Sequence, residues 1–306
     1  MELSIVIVNF NNKDLLYNCL SSIFKATKNL SFEVIVADNN SQDNSPEMVT
    51  KEFPQVRLFC NKINLGFSKA NNQGIEKARG KNILLLNSDT IVLEDSLNKM
   101  VNFLNERRDV AIVGCQMQTK EGRPYRSCFK FPNLAEQLIS RNFFKKFFDI
   151  SRFSLNYPDW NSGKIKEVDW LSGAALMIKK EVLEQIGMLD ESLFIYFEDV
   201  DLCYRAKEAG FKICYLPQAG IIHIGQSTTQ LNRERFEIEW HRSRLIYFKK
   251  HDSYLVFLVI KTLMLCGCLL NITRILFNLF LAPSRYEGLK PKLHAYTQIV
   301  KMGLFF

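Results

Sequence analysis

The chain lacks the spacing that would make its 8 cysteines work together. Cys19, Cys60, Cys115, Cys128, Cys203, Cys214, Cys266 and Cys268 are scattered, mostly in apolar runs, and none forms a Cys-x-x-Cys pair. That argues against a thiolate zinc site or a disulfide framework and for reduced, small core residues of a cytoplasmic protein. The first strand-like run, Leu3 to Val8, begins almost at Met1, so a protein without a secretory leader, in the same compartment, is expected. No Gly-x-Gly-x-x-Gly follows that run, which disfavours a dinucleotide oxidoreductase. Acidic charge is in deficit: 40 Lys/Arg stand against 32 Asp/Glu, for a net charge of +8, and +7 of this lies from Asn232 onward. Such clustering suits nucleic acid, phosphates or an anionic membrane surface. Nucleic acid is not the expected partner, because the charge sits beside apolar runs and not on an aromatic-studded polar face.

What is present is enough for a substantial core. The 306 residues, 47% hydrophobic, fit one large α/β domain with an appendage. The organising stretch is Asn82-Ile83-Leu84-Leu85-Leu86-Asn87-Ser88-Asp89-Thr90. Ile83 to Leu86 read as a strand buried on both faces of a parallel sheet. Leu3 to Val8 and Phe32 to Ala37 read likewise, with Val56 to Phe59 and Val110 to Gly114 as further strands. Between them lie helical spacings: Leu15 to Phe24, a short helix capped by Ser45 with Pro46 in its first turn, Ser68 to Ala78, and Asp95 to Asn105. Strand and helix alternate at short intervals, so βαβ units and a mostly parallel sheet are expected.

Residues 116–166 show no clean period and read as an irregular excursion. Within it, Phe143, Phe144, Phe147 and Phe148 mix with Arg141, Lys145 and Lys146; contact with lipid and a small amphipathic helix on the core are both compatible with this. Order returns at Val168 to Ile178, followed by a helix from Lys180 to Ile186 and another that opens near Glu198 and ends at Gly210. Lys212 to Leu216 reads as a strand, and Ile221 to Gly225 as a separate polar strand end. The expected domain spans residues 1–251, ending in a charged helix from Arg233 to His251. Residues 252–306 form a helical tail with apolar runs (Tyr254 to Ile260, Thr262 to Leu270, Ile275 to Leu281) and basic residues Lys261, Arg274, Lys290 and Lys292. Membrane association is expected there, either spanning or lying in the plane; a buried hairpin or a homodimer interface is the soluble alternative.

Four polar strand ends are expected to converge on one edge of the sheet: those of Asp38, Asp89, Asp199 and His223, with their neighbours. Ligands of open α/β sheets bind beyond the carboxyl ends of the strands. Each residue also has a bland reading. Asp38 suits an Asx turn, Ser88 and Asp89 a cap on the next helix, Asp199 a charge at a helix N-terminus, and His223 a core histidine. Together they supply oxygens and an imidazole suited to a divalent cation, with carboxylates left for proton transfer.

These segments resemble the inverting glycosyltransferases of family 2, and most closely their bacterial rhamnosyltransferase-like branch. The matching residues are Ser4 to Asn11, Ala37 to Asp43, Asn64-Leu65-Gly66-Phe67 with Asn71-Asn72-Gln73-Gly74, and Leu84 to Asp89. Farther on they are Trp170 to Ala174, Phe197 to Cys203, and His223 through Gly225 and Ser227. The resemblance covers about Met1 to His251 and implies a GT-A fold, Rossmann-like with a mostly parallel central sheet. It implies that Asp38, Asn9 and Asn11 line the nucleobase pocket, and that Asn64, Gly66, Asn71 and Ser88 shape the rest of the donor site. It further implies that Asp89, with His223, holds Mg²⁺ or Mn²⁺, that Trp170, Gly173, Ala174 and Glu198 lie beside sugar or acceptor, and that Asp199 is the catalytic base. The first position of the family's Asp-x-Asp-type motif is Asn87 here, a weaker ligand, and Met188-Leu189-Asp190 stands where relatives show Gly-Phe-Asp. Arg242 and Arg244 are candidate clasps for the diphosphate, against a solvated helical face as the alternative. A helix dipole is expected to hold Asp199 ionised while lowering its basicity.

The implied activity is transfer of one sugar from a nucleotide-diphosphate donor, deoxythymidine-diphosphate rhamnose first and a uridine-diphosphate sugar second. The acceptor is a hydroxyl of a glycan, expected to be lipid-linked, at the cytoplasmic face of the cell membrane. The competing reading is a catalytically idle GT-A domain that binds glycan or scaffolds a membrane assembly.

Overall fold

The computed structural model describes residues 1–135, 156–157, 159–225, 233–282 and 286–306. The chain divides into two compact units. The first comprises Met1–Phe131, Leu155–Glu191 and Glu198–Thr228; the second comprises Pro132–Ser154, Ser192–Phe197 and Thr229–Phe306.

The first unit opens with alternating strands and helices: β1 (Leu3–Asn9), α1 (Lys13–Ala26), β2 (Phe32–Asp38), α2 (Ser45–Glu52), β3 (Arg57–Cys60), α3 (Phe67–Lys77) and β4 (Asn82–Asn87). Then come β5 (Thr90–Val92), α4 (Ser96–Glu106), β6 (Val110–Gln118), β7 (Pro124–Tyr125), β8 (Cys128–Phe129), β9 (Lys166–Glu167), β10 (Trp170–Leu171) and β11 (Ala175–Lys179). The unit ends with α5 (Lys180–Ile186), α6 (Glu198–Glu208) and β12 (Lys212–His223). The sheet order is β3-β2-β1-β4-β11-β6-β12-β5, with β7 beside β6 and β9 beside β12. From β3 to β4 every pairing is parallel, as expected.

The apolar runs form strands because both faces are covered. Leu3, Ile5 and Ile7 of β1 pack with Leu16, Leu20 and Ile23 of α1, while Val6 turns to the opposite layer with Ile75 and Ala78. In β4, Leu84 and Leu86 join the first layer and Ile83 and Leu85 the second. Such strands read as continuous hydrophobic runs because neither face meets water.

β11, whose direction the sequence left open, lies antiparallel between β4 and β6; all five of its residues are buried, so its composition carries no mark of direction. Other expectations are corrected. Lys212 to His223 is one strand, and the two segments read from the sequence are joined across a register shift between Leu216 and Gly220. Ser45 is the first helical residue of α2, not its cap; the cap is Asn44 in the left-handed region, and Asp43 Oδ1 accepts the Ser45 N–H at 3.1 Å. The span 116–166 includes the end of β6 and the short strands β7, β8 and β9. Its aromatic and basic cluster, 141–148, lies outside the described residues.

In the second unit, α7 (Arg233–His251), α8 (Tyr254–Leu281) and α9 (Tyr286–Phe305) pack on one another. α7 is grouped with the two apolar helices in this unit. α8 buries Phe257, Ile260, Met264, Cys268 and Ile275 at helical spacing. Its other side exposes Leu255, Leu270, Phe277 and Phe280. Among the described residues it is the one helix long and apolar enough to cross a membrane, by length and composition, with 28 residues.

At the amino ends of the strands, Glu33 is buried beside Ser4. It receives hydrogen bonds from Ser4 Oγ (2.8 Å), Arg57 Nη1 (2.8 Å) and the Arg79 backbone N–H (2.8 Å), with Arg79 Nη2 also at 2.8 Å. Burial alone would raise its pKa, but the donors outweigh burial and hold it at about 2. A carboxylate so depressed contributes stability that is complete above its ordinary value near 4.5 and is lost as pH falls toward 2. Glu33→Gln is expected to cost about 2 kcal/mol at neutral pH, since both guanidiniums are partly solvated. In urea unfolding, the gap from wild type should close on acidification across that window.

Candidate active site

The register of β1 with β2 sets Asn9 opposite Asp38. Asn9 Nδ2 donates to Asp38 Oδ1 (2.9 Å) and to Ser41 Oγ (3.2 Å). Asp38 also accepts from the Ser41 N–H (2.8 Å) and hydroxyl (2.6 Å), so the Asx-type turn is real. A carboxylate offers about four acceptor sites, so about one remains for a ligand. Asn11, at φ 52°, joins the same corner: its N–H donates to Ser41 Oγ and its Oδ1 accepts the Gln42 N–H. The loops after β1 and β2 are thereby tied into one wall.

The next wall is built from amides. Asn61 and Gln73 exchange side-chain hydrogen bonds at 2.9 and 3.0 Å, and Asn61 also donates to Asn39 Oδ1. Asn39 Nδ2 donates to the Gly66 carbonyl, and Asn64 Oδ1 accepts the Gly66 N–H. Gly66 caps α3 at φ +86°, a conformation that favours glycine. Asn71 Nδ2 is spent on the Phe67 carbonyl, while its buried Oδ1 has no partner among the described residues; the same holds for Asn9 Oδ1 and Glu198 Oε2. Buried polar atoms left open in this way are places that a bound molecule would satisfy.

Beyond β4 the chain turns through Ser88 and Asp89, both buried, and β5 follows at once. α4 starts only at Ser96 with Asp95 as its cap, so neither Ser88 nor Asp89 caps a helix. Instead the Asp89 carbonyl accepts the Ile224 N–H, which sets Asp89 beside His223 at the end of β12. Asp89 Oδ1 lies 3.2 Å from His223 Nε2, and Asn87 Nδ2 lies 3.4 Å from the same nitrogen. His223 Nδ1 meets the phenol of Tyr125 at 2.6 Å. Burial, then the charge of Asp89, pushes that phenol above its ordinary pKa and keeps it protonated.

No cluster of three or more His, Cys, Asp or Glu forms a ready cage among the described residues. Asp89 and His223 nonetheless fit one side of a cation site. Two ligand atoms at right angles on an ion with bonds of about 2.1 Å sit about 3 Å apart, close to the separation present here.

The third wall comes from the segment between β10 and β11. The Asn87 N–H donates to the Ala174 carbonyl at 3.0 Å. The Gly173 N–H donates to Asp199 Oδ2 at 2.8 Å. A Cβ on Gly173 would lie 3.3 Å from the Asp199 Cβ, so a larger residue would crowd this bond. Asp199 is thus placed by the first turn of α6, not by a strand end, and the Asp89 and Asp199 segments are joined through Gly173 and Ala174. The two residues before α6, Tyr196 and Phe197, both sit at positive φ (70° and 66°), a strained conformation for aromatic residues.

Burial pushes Asp199 up to about 6, although the N–H groups of Gly173 and Val200 pull the other way. Burial, and after it the charge of Asp199, pushes Glu198 well above the carboxylate range. The expected loss of basicity is therefore reversed: desolvation outweighs the helix terminus.

The remaining sequence candidates are placed as follows. Trp170 donates its indole N–H to the Lys130 carbonyl (2.9 Å) and stacks on Phe129 at 4.5 Å. Arg242 and Arg244 lie on α7 in the second unit; Arg242 pairs with Glu239, and Arg244 is buried with its guanidinium over Trp240. The sequence reading did not single out Ser41, Asn39, Asn61, Gln73 or Tyr125. Asn39, Ser41 and Gln73 fell inside quoted segments; Asn61 and Tyr125 stood in none.

Comparisons with known proteins agree on the fold. A model of the family "Glycosyl transferase family 2" matches residues 4–161. An N-acetylglucosaminyl-diphospho-decaprenol L-rhamnosyltransferase of Mycobacterium tuberculosis is 26% identical over 82% of this chain and 85% of its own. Rhamnosyltransferase WbbL of Escherichia coli is 25% identical over 78% of this chain and 88% of its own. Mannosyltransferase PcManGT from Pyrobaculum calidifontis, solved with GDP-Man and Mn²⁺, aligns over 98% of this chain and 86% of its own, with TM-score 0.54 and 14% identity. GalNAc-T7, solved with UDP, GalNAc and Mn²⁺, aligns over 74% of this chain with TM-score 0.57 and 17% identity; the match spans 44% of that longer chain. These structural likenesses support the GT-A architecture, and the apolar C-terminal helix is present as expected.

Because the fold holds Asp199 above its ordinary value of 3.8, its ionisation costs stability, and that cost shrinks as pH falls from about 6 and is gone below 3.8. Wild type should therefore gain stability relative to Asp199→Asn, by about 1–2 kcal/mol, between about pH 8 and about pH 5 in paired urea titrations.

Proposed function

The chain belongs to glycosyl transferase family 2, and from that premise we propose that it moves one sugar from a nucleotide-diphosphate donor to an acceptor hydroxyl with inversion at the anomeric carbon. The observation that carries this reading is the linkage Asp89–Asn87–Ala174–Gly173–Asp199, which sets a raised-pKa carboxylate beside the segment that bears Asp89. Asp199 takes the proton of the acceptor hydroxyl; a pKa near the working pH suits a general base. The acceptor oxygen bonds to the anomeric carbon from the face opposite the leaving group. The bond from that carbon to the diphosphate oxygen breaks, and its electron pair leaves on the diphosphate. Asp89 and His223 would hold a divalent cation, which supplies positive charge to the departing diphosphate. Asn9, Asn11 and Asp38 receive the nucleobase, and Asn64, Gly66, Asn71 and Ser88 shape the rest of the donor site. Glu198, Trp170, Gly173 and Ala174 lie on the sugar and acceptor side, and Arg242 and Arg244 are proposed diphosphate contacts.

The rhamnosyltransferase relatives favour deoxythymidine-diphosphate rhamnose as donor, with uridine-diphosphate sugars second. One of them is named for a diphospho-decaprenol substrate, which supports a lipid-linked acceptor. The exposed apolar side of α8 is consistent with work at the inner face of a membrane.

Binding of thymidine, uridine and guanosine diphosphates, each with Mg²⁺ or with chelator, tests the reading. A metal-dependent preference for one nucleotide, lost in Asp89→Ala, is the expected result. Well-folded protein that binds none of them would instead favour the idle scaffold. In turnover with the preferred donor, Asp199→Asn should lower kcat by about 10²–10⁴-fold. The wild-type rate should fall as pH drops through about 6, following the Asp199–Glu198 pair.

A further inference from the structure

We propose that Tyr125 is a positioning residue for the cation site: its phenol accepts the Nδ1–H of His223 when a divalent cation takes Nε2, and donates to Nδ1 when none is there. The inference rests on the reading that Asp89 and His223 hold that cation.

The argument is one of matched donors and acceptors. A neutral imidazole has one N–H and one lone pair. His223 Nε2 faces Asp89 Oδ1 at 3.2 Å, and His223 Nδ1 faces Tyr125 Oη at 2.6 Å. An ionised carboxylate accepts only, so without a cation Nε2–H donates to Asp89 and Nδ1 accepts the phenol O–H. That state pairs Nε2–H with Asp89 and Nδ1 with the phenol, while Asn87 Nδ2, 3.4 Å from Nε2, then makes no bond to it. A cation at Nε2 requires the lone pair there and the proton on Nδ1. The Nδ1–H then needs an acceptor, and the phenol oxygen supplies one after its O–H rotates away. The ring stays neutral: one proton leaves Nε2 for solvent, one arrives at Nδ1 from solvent, and Tyr125 keeps its own. Histidines that bind metals nearly always donate their second N–H to an oxygen in this way.

The backbone fixes this partnership. β7 and β12 both pair with Met117 and Gln118 of β6, so they flank it on opposite edges. The Thr119 N–H donates to the Arg123 carbonyl and closes the turn that brings Tyr125 back along β6. A hydroxyl is the side-chain group that serves both states, because it donates in one and accepts in the other.

The test follows the ring protons by ¹⁵N NMR of labelled full-length protein, which has 4 histidines; His223 is assigned by the signals lost in His223→Gln. Wild type with chelator should show the Nε2–H tautomer, and with Mg²⁺ and thymidine diphosphate the Nδ1–H tautomer. Tyr125→Phe should weaken Mn²⁺ binding to the protein–thymidine diphosphate complex, read by electron paramagnetic resonance, by about ten-fold. Its affinity for thymidine diphosphate in chelator should stay unchanged. Equal Mn²⁺ affinity in wild type and Tyr125→Phe, or one tautomer under both conditions, overturns the proposal. Wild type that binds nucleotide but no cation removes the cation reading and this inference with it; wild type that binds none of thymidine, uridine and guanosine diphosphates removes the transferase reading as well. The wild-type tautomer requires no variant, so misfolding of Tyr125→Phe does not protect the proposal.

Discussion

The register of β1 between β2 and β4 is the constraint on which the site depends. Asn9 pairs with Asp38 on one side, and Val8 with Asn87 on the other. Side chains alternate along a strand, so a slip of one residue would turn Ile5 and Ile7 out of their layer and Val6 into it. Both faces are covered, so the register is held by the fit of each side chain within its own layer. The core therefore fixes the polar row at the carboxyl ends, and Asn9, Asp38 and the Asn87–Asp89 turn meet because Leu3 to Val8 are packed.

The two ends of this sheet show how environment, not residue type, decides the state of a carboxyl. Glu33 and Glu198 are both almost fully buried. Glu33 meets two guanidiniums and a backbone N–H and is held near 2, whereas Glu198 has a carboxylate for its neighbour and is pushed up. Desolvation acts on both in the same direction; the donors at one end reverse it and the second carboxylate at the other reinforces it. The first arrangement locks the amino edge of the sheet. The second spends stability at the opposite edge, where a base that releases and takes protons near neutrality is useful.

Much of this was legible in the residues. β1, β2 and β4 appear as largely apolar runs ending on Asn or Asp, and the same runs place the polar row. The direction of β11 was not legible, because a strand buried on both faces looks the same whichever way it runs. The join across β12 was hidden by Pro217 to Gly220, where the register shifts against β6. Tyr125 matters through a tertiary contact: a two-residue strand set by pairing with β6 leaves no local signature. The amide pair Asn61–Gln73 is likewise defined by a meeting of side chains across a loop and a helix. Asp199 was legible as a carboxylate at the start of a helix, but its basicity depended on burial, which spacing does not report.

The helices of the second unit pose the opposite problem, because composition is plain and the periodicity is not. α8 has no acidic residue, and its apolar side chains surround it, so its sequence does not reveal which side faces protein. Packing reveals it: Phe257, Ile260, Met264 and Cys268 form one row, and Gly303 of α9 comes close enough that a Cβ there would lie 2.7 Å from Met264 Cε. That row accounts for one side only. Leu270 and Phe280 remain 68% and 83% exposed on the other. Leaving such side chains in water forgoes about 1.5–3 kcal/mol each. Among the described residues, the packing of α7, α8 and α9 does not recover that energy. The proposed membrane attachment is the reading under which this side is placed in a favourable medium, with the basic residues that flank it facing anionic headgroups.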